Sequence, residues 1–191
     1  MDYTGRTFVF IGRSGCGKGT QAALLQKYLT EKGYEVLRLG TGDFARIRAQ
    51  KNTLTGKWIQ SILDAGGFFP SWLANALVLE MIEPALISLE QIVLLDGSPR
   101  RLSEAQVLDE YMENLHRPRV QPIYLDISED ESRRRLIARG RADDTKDAIT
   151  NRLAWFTTEV VPVLTYYGNR LITVSGEGDI SAIHAKIIES L

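Results

Sequence analysis

Cysteine is almost missing from this chain: Cys16 is the only one in 191 residues. An internal disulfide and a cysteine-built metal site, zinc included, are therefore excluded, and the composition suits a reducing, cytoplasmic setting. An excess of either charge is missing too. With 23 Lys and Arg against 24 Asp and Glu the formal net charge is −1, so no overall field draws the protein to nucleic acid or to an anionic membrane. Any affinity for phosphate has to come from arginines placed locally. Long apolar runs are also absent: no stretch approaches the roughly 18 residues of a membrane span, and "TFVFI" near the N-terminus is too short for a secretory signal. The length and the 44% hydrophobic content are enough for one globular domain, expected as a monomer over 1–191.

What is present is an alternation of two kinds of segment. Short β-branched or aromatic runs fall at 7–11, 35–39, 91–95, 122–127 and 171–175, and segments with helical spacing fall at 18–32, 71–88, 128–139, 145–167 and 179–190. That order predicts an α/β fold: a parallel five-stranded sheet with helices on both faces and ligands at the carboxyl ends of the strands. Ser128 and Ser103, each followed three residues later by Glu or Gln, read as capping boxes. The stretch of about fifty residues between the second and third runs exceeds what one crossover helix needs. A helical insert at about 40–70 accounts for it, and "RGRADD", 139–144, is a second, shorter irregular piece.

The first run leads directly into "GRSGCGKGT", residues 12–20, a loose match to G-x-x-x-x-G-K-[ST] in which Gly19 separates Lys18 from Thr20. Glycines let backbone N–H groups turn toward phosphate oxygens, the following helix adds its positive end, and a lysine reaches the outer phosphates. Gly15, Cys16, Gly17, Lys18, Gly19 and Thr20 are thus candidates for nucleotide binding. The competing interpretation, a glycine-rich turn that caps a helix, explains neither the lysine nor the strand–loop–helix context.

The form "GKGTQ" resembles the adenylate kinase family of nucleoside monophosphate kinases, and the resemblance extends through three further motifs. "TGDFAR" places Thr41 and Arg46 where the family holds the acceptor phosphate, and "DAGGFFPS" places Gly67, Phe68 and Phe69 on the piece that meets the acceptor base and ribose. "DGSPR" places Asp96, Gly97 and Arg100 at the end of the third strand, with Ser98 where the family has an aromatic. "ARGRADDTKDAITNRL" supplies Arg139, Arg141 and Arg152 for a very short flap over the donor phosphates, without cysteines for zinc. Gly178 falls in a turn that resembles the one beside the donor adenine. Arg101, and the run Arg133, Arg134 and Arg135, read as solvated or paired surface charges.

The resemblance implies a P-loop NTPase-type fold with a helical acceptor-binding insert and a short lid. It also implies transfer of the γ-phosphoryl of ATP to AMP. In such a reaction the protein positions and neutralises rather than forming covalent intermediates. Lys18, Arg100, Arg139, Arg141 and Arg152 are the catalytic candidates, Arg139 also facing ATP and Arg141 and Arg152 the monophosphate. Mg²⁺ held largely through water near Thr20 and Asp96 is the implied cofactor. A kinase for another monophosphate such as GMP and a non-catalytic ATP-binding regulatory module are the alternatives. A GTPase would need Asn-Lys-x-Asp, which is absent.

Glu104 is the clearest departure. Adenylate kinases generally carry glutamine there, its amide both accepting from and donating to adenine. An ionised carboxylate only accepts, whereas a buried, protonated one restores the donor. Glu104 thus either reads the acceptor base or complements the dipole of a helix it opens; both remain open at the level of sequence.

Overall fold

The alternation of buried residues along the strands sets the layers. In the computed structural model, which describes residues 2–191, β1 (Thr7–Gly12) turns Phe8 and Phe10 to one face of the sheet and Val9 and Ile11 to the other. β3 (Ile92–Asp96) does the same with Ile92 and Leu94 against Val93 and Leu95. β2 (Val36–Gly40), β4 (Gln121–Asp126) and β5 (Ile172–Ser175) complete an all-parallel sheet in the order β2-β3-β1-β4-β5. A strand apolar on both faces needs helices on both, and they are there. α1 (Lys18–Glu31) and α9 (Ile180–Ser190) pack Leu25, Leu29, Ile183 and Ile187 on the Phe8 face. α4 (Ser71–Ile82), α5 (Leu102–Asn114) and α8 (Val161–Tyr167) cover the Val9 face with Val78, Leu108 and Val163.

Between β2 and β3, α2 (Thr41–Ala49) and α3 (Leu54–Asp64) form a small core of their own, in which Ala45 and Ile59 meet Leu73 and Leu77 of α4. α6 (Glu129–Arg139) and α7 (Lys146–Trp155) flank residues 140–145 and share Leu136, Ile149 and Leu153. Thr145 caps α7, its hydroxyl accepting from the Ala148 N–H.

Three helix boundaries differ from the sequence expectation. The segment expected to run 71–88 ends at Ile82, because Glu83 precedes Pro84, and proline both disfavours helical geometry before it and supplies no N–H. The segment expected over 145–167 contains a π turn, Phe156–Val160, immediately before Pro162. The wider turn accommodates the proline without a clash against the preceding carbonyl. α5 begins at Leu102, so Ser103 lies within its first turn and does not cap it. Its hydroxyl donates instead to Ser71 Oγ at 2.9 Å, and Ser71 is the first residue of α4. Ser128 does cap α6, accepting from the Glu131 N–H, but its own N–H donates to Glu177 rather than Glu131.

Candidate active site

Three parallel strands, β1, β2 and β3, deliver their carboxyl ends to one opening, a cleft of about 580 Å³. The glycine loop after β1 forms its floor. Gly15, Gly17, Lys18, Gly19 and Thr20 all line it, and Lys18 Nζ is folded back, donating to the carbonyls of Gly12 at 3.0 Å and Arg13 at 2.9 Å. Gly19, the residue that spoils the plain motif, has a steric reason: a Cβ there would stand 3.0 Å from Asp96 Oδ2, at the end of the neighbouring strand. Cys16 does not line the cleft. It is buried, with Lys18 Nζ 3.7 Å from its Sγ.

The β3 exit is fixed by two backbone requirements. Thr41 Oγ1 donates to the Asp96 carbonyl at 2.8 Å, tying the start of α2 to the end of β3. Gly97 has φ +91°, and a Cβ there would meet the same Thr41 oxygen at 2.6 Å. Arg100 then enters the cleft with its Nε donating to the Gly97 carbonyl at 2.8 Å and its guanidinium 5.6 Å from the centre of the Phe68 ring. Burial holds its pKa below the ordinary arginine value, with Glu104 and Asp96 pulling the other way.

The remaining cations come from the insert and the 139–152 segment. Arg46 pairs with Asp143 at 3.1 Å and with Asp43 at 3.3 Å. Arg152 pairs with Asp143 at 2.6 Å and closely with Asp144, whose other partner is Arg139 at 2.7 and 2.8 Å. Burial alone would raise the two aspartates. The charges and hydrogen bonds of Arg46 and Arg152 on one, and of Arg139 and Arg152 on the other, outweigh it and hold both below the usual carboxylate value. Arg141 lines the same cleft, its pKa lowered by burial and then by Arg139 and Arg46.

A smaller apolar recess of about 30 Å³ opens beside Arg100, between Phe68, Phe69, Leu77 and Thr41, with Glu104 on its wall. Gly67 lines the main cleft. Thus the glycine loop, Thr41, Arg46, Gly67 to Phe69, Asp96, Gly97, Arg100, Glu104, Arg139, Arg141 and Arg152 are brought together, although they span more than a hundred residues of sequence. Gly178 is not among them: it lies in the β5–α9 turn with φ +105° and nothing within 4 Å of where a Cβ would stand.

Sequence reasoning missed three groups. Asp143 and Asp144 were in plain view inside "RADD", where an Arg/Asp alternation in a short loop is the signal. Arg135 is paired, with Glu131 at 2.6 Å, but it also lines the cleft, donating to the Gly176 carbonyl at 2.9 Å and reaching the Cys16 carbonyl at 3.5 Å. Arg101 is likewise tied down, with Nε 2.9 Å from Glu159 and Nη1 donating to the Phe69 carbonyl at 3.2 Å. Their contacts with Gly176, Cys16, Glu159 and Phe69 lie on other elements, so nothing local announces those.

Among the described residues no cluster of three or more His, Cys, Asp or Glu offers a cage for a metal. Asp96 and Thr20, both on the cleft, are a donor set suited to a hard cation that keeps most of its waters and shares phosphate oxygens. Taken together, the cleft can surround a polyanion with backbone N–H groups, one lysine and several arginines, beside an apolar recess.

Comparison with known proteins agrees with this arrangement. The family model described as "Adenylate kinase" matches residues 10–172. The adenylate kinase of Corynebacterium diphtheriae is 34% identical over 183 residues, covering 96% of this chain and 97% of the relative. That of Synechococcus sp. is 33% identical over 185 residues (96% and 97%), and that of Oenococcus oeni 30% over 184 residues (95% of each). With motifs, sheet order and near full-length similarity all in agreement, the chain belongs to the adenylate kinase family.

Proposed function

We propose that this protein is a phosphotransferase that moves the γ-phosphoryl group of ATP to AMP, giving two ADP. The observation that carries the reading is the shared cleft: the glycine loop with Lys18 on one side, and Thr41, Arg46 and Arg100 beside an apolar recess on the other, a separation that suits a donor and an acceptor nucleotide. ATP lies on Gly15 to Thr20, with Arg139 on its phosphates. The AMP phosphate is held by Arg46 and Arg100, with Thr41 fixing the strand exit, and its base enters the recess by Phe68, Phe69 and Glu104. Lys18, Arg100, Arg139, Arg141 and Arg152 surround the migrating group, where charge spreads over its oxygens and fixed cations stabilise the transition state. Arg135 braces the loop against the β5–α9 turn near Gly178, beside the donor base.

Thr20 and Asp96 are the residues that would hold Mg²⁺. When bound, the ion neutralises charge on the outer phosphates and helps orient them. The insert at about 40–70 and the lid at 139–144 close over the nucleotides and exclude water, which otherwise hydrolyses ATP. The protein works as a monomer in the cytoplasm, a setting that suits its single, buried Cys16. Among the described residues no helix is long and apolar enough to cross a membrane.

A coupled assay of ADP formation from ATP with AMP, GMP, CMP, UMP or dTMP tests this reading. AMP is expected to be the preferred acceptor; turnover with ATP and AMP no faster than with ATP alone would refute it.

A further inference from the structure

Glu104 is a buried ionisable group in the acceptor recess with no salt bridge to Arg100 or Arg101 beside it. It is 3% exposed. Arg100 directs its Nε to the Gly97 carbonyl, and Arg101 directs its side chain to Glu159 and the Phe69 carbonyl. The contacts Glu104 does make are both on one oxygen: Oε2 accepts from the Arg100 N–H at 2.8 Å and faces Ser98 Oγ at 3.5 Å. Oε1 carries neither of these contacts.

Apart from Arg100, the rest of that wall is uncharged. Thr41 and Gly42 from the start of α2, Phe68 and Phe69 from the segment after α3, and Ala74 and Leu77 from α4 carry no titratable group. Asn75, Val78 and Leu79 of α4 and Val107 and Leu108 of α5 line an adjoining cavity and are neutral as well. Tyr111 of α5 lines that cavity too, its phenol pushed up by burial and by Glu83 and so neutral. Ser98, small where a ring would fill the space, borders both cavities. A carboxylate in such surroundings is costly unless paired, and the usual escape is protonation. Burial accordingly pushes the Glu104 carboxyl upward, against the backbone N–H groups and the charges of Arg100 and Arg101.

We propose that Glu104 meets the acceptor base as a neutral acid, its Oε1 hydroxyl donating to an unprotonated ring nitrogen while Oε2 keeps the Arg100 N–H. The residue thereby selects a base edge that offers an acceptor, as adenine N1 does, over one that offers N1–H, as guanine does. This rests on the AMP kinase reading above and deepens it: the choice of acceptor is linked to the proton on Glu104. The neutral acid is present at low pH and lost as pH rises through its raised pKa, so preference for AMP declines on the alkaline side.

The test is kcat/KM for AMP and for GMP from pH 5.5 to 9 in the wild type and in Glu104→Gln. Both acceptors carry the same phosphate, so its ionisation cancels in the AMP/GMP ratio. The wild-type ratio is expected to fall by about fivefold or more as pH rises, the lower end of what one mismatched hydrogen bond costs. Glu104→Gln, with a permanent donor, is expected to hold a flat ratio. A flat wild-type ratio, or parallel profiles in the two proteins, overturns the proposal and leaves Glu104 with only its contact to Arg100.

Calorimetry of AMP binding in two buffers of different ionisation enthalpy gives a second reading that does not depend on turnover. At alkaline pH the wild type is expected to take up more protons on binding than Glu104→Gln, and equal uptake overturns the proposal. If neither acceptor is phosphorylated by the wild type, the kinase reading fails, and the proton uptake still decides the state of Glu104.

Discussion

The two cationic parts of the cleft are held in different ways. The donor loop satisfies its lysine with main-chain oxygens, Gly12 and Arg13, on a loop anchored between β1 and α1. The arginines of α2, α6 and α7 are held by carboxylates, Asp143 bridging Arg46 and Arg152, and Asp144 bridging Arg152 and Arg139. Main-chain partners come with the fold and do not titrate. Side-chain partners hold three cations together before any phosphate arrives, they titrate, and an incoming phosphate competes with them. Arg100 belongs to neither group: its Nε uses a carbonyl, and its charge is left for the ligand.

The largest expected effect separates that free arginine from the paired ones. Arg100→Ala should lower kcat/KM for AMP by roughly 10³ or more, the scale of a transition-state arginine, while the thermal midpoint hardly moves, since no ion pair is lost. Asp143→Asn should do the reverse in weight. Removing one partner of a buried pair costs about 3–5 kcal/mol, and for a pair open to a solvent cleft about 1–3 kcal/mol is expected. That corresponds to about 2–4 °C in Tm per kcal/mol at this size, and the deficit should shrink when ATP and AMP are bound, because phosphate then shares the arginines.

The pH dependence follows the same division. Asp143 and Asp144 have folded-state pKa values below the ordinary 3.8, so their stabilisation is complete above about that pH and is lost as pH falls through the lowered values. Denaturation midpoints between pH 5 and 2.5 should fall less steeply in Asp143→Asn than in the wild type. The smallest effect is expected at Arg133, whose pair with Glu129 spans 3.3 Å on an open helix face with both side chains about half exposed. Arg133→Ala should change stability by less than about 0.5 kcal/mol in the same measurement.

Much of the scaffold was legible in the sequence, because strand runs and a glycine loop are local signals. Each of the five strands lies within a residue or two of its expected bounds, and the insert and short lid segments were visible as spacing. The order of strands was not, since it depends on pairings between segments far apart. Two of the misplaced helix features have local causes, Pro84 and Pro162, whereas at the start of α5 Glu104 rather than Ser103 receives an N–H, that of Arg100. Of the arginines that line the cleft, Arg46, Arg100, Arg139, Arg141 and Arg152 were named from motifs and Arg38 and Arg135 were not, and the partners of the named ones were not legible. Arg46 and Asp143 lie 97 residues apart, and no local pattern joins them.

The central claim is that this cleft transfers a phosphoryl group from ATP to AMP with Arg100 on the acceptor phosphate. Its most direct test is ADP formation from ATP and AMP by the wild type and by Arg100→Ala, with thermal unfolding recorded on both. The account predicts turnover by the wild type and a loss of about 10³ or more in the variant at an unchanged midpoint; equal activity in the two proteins would contradict it.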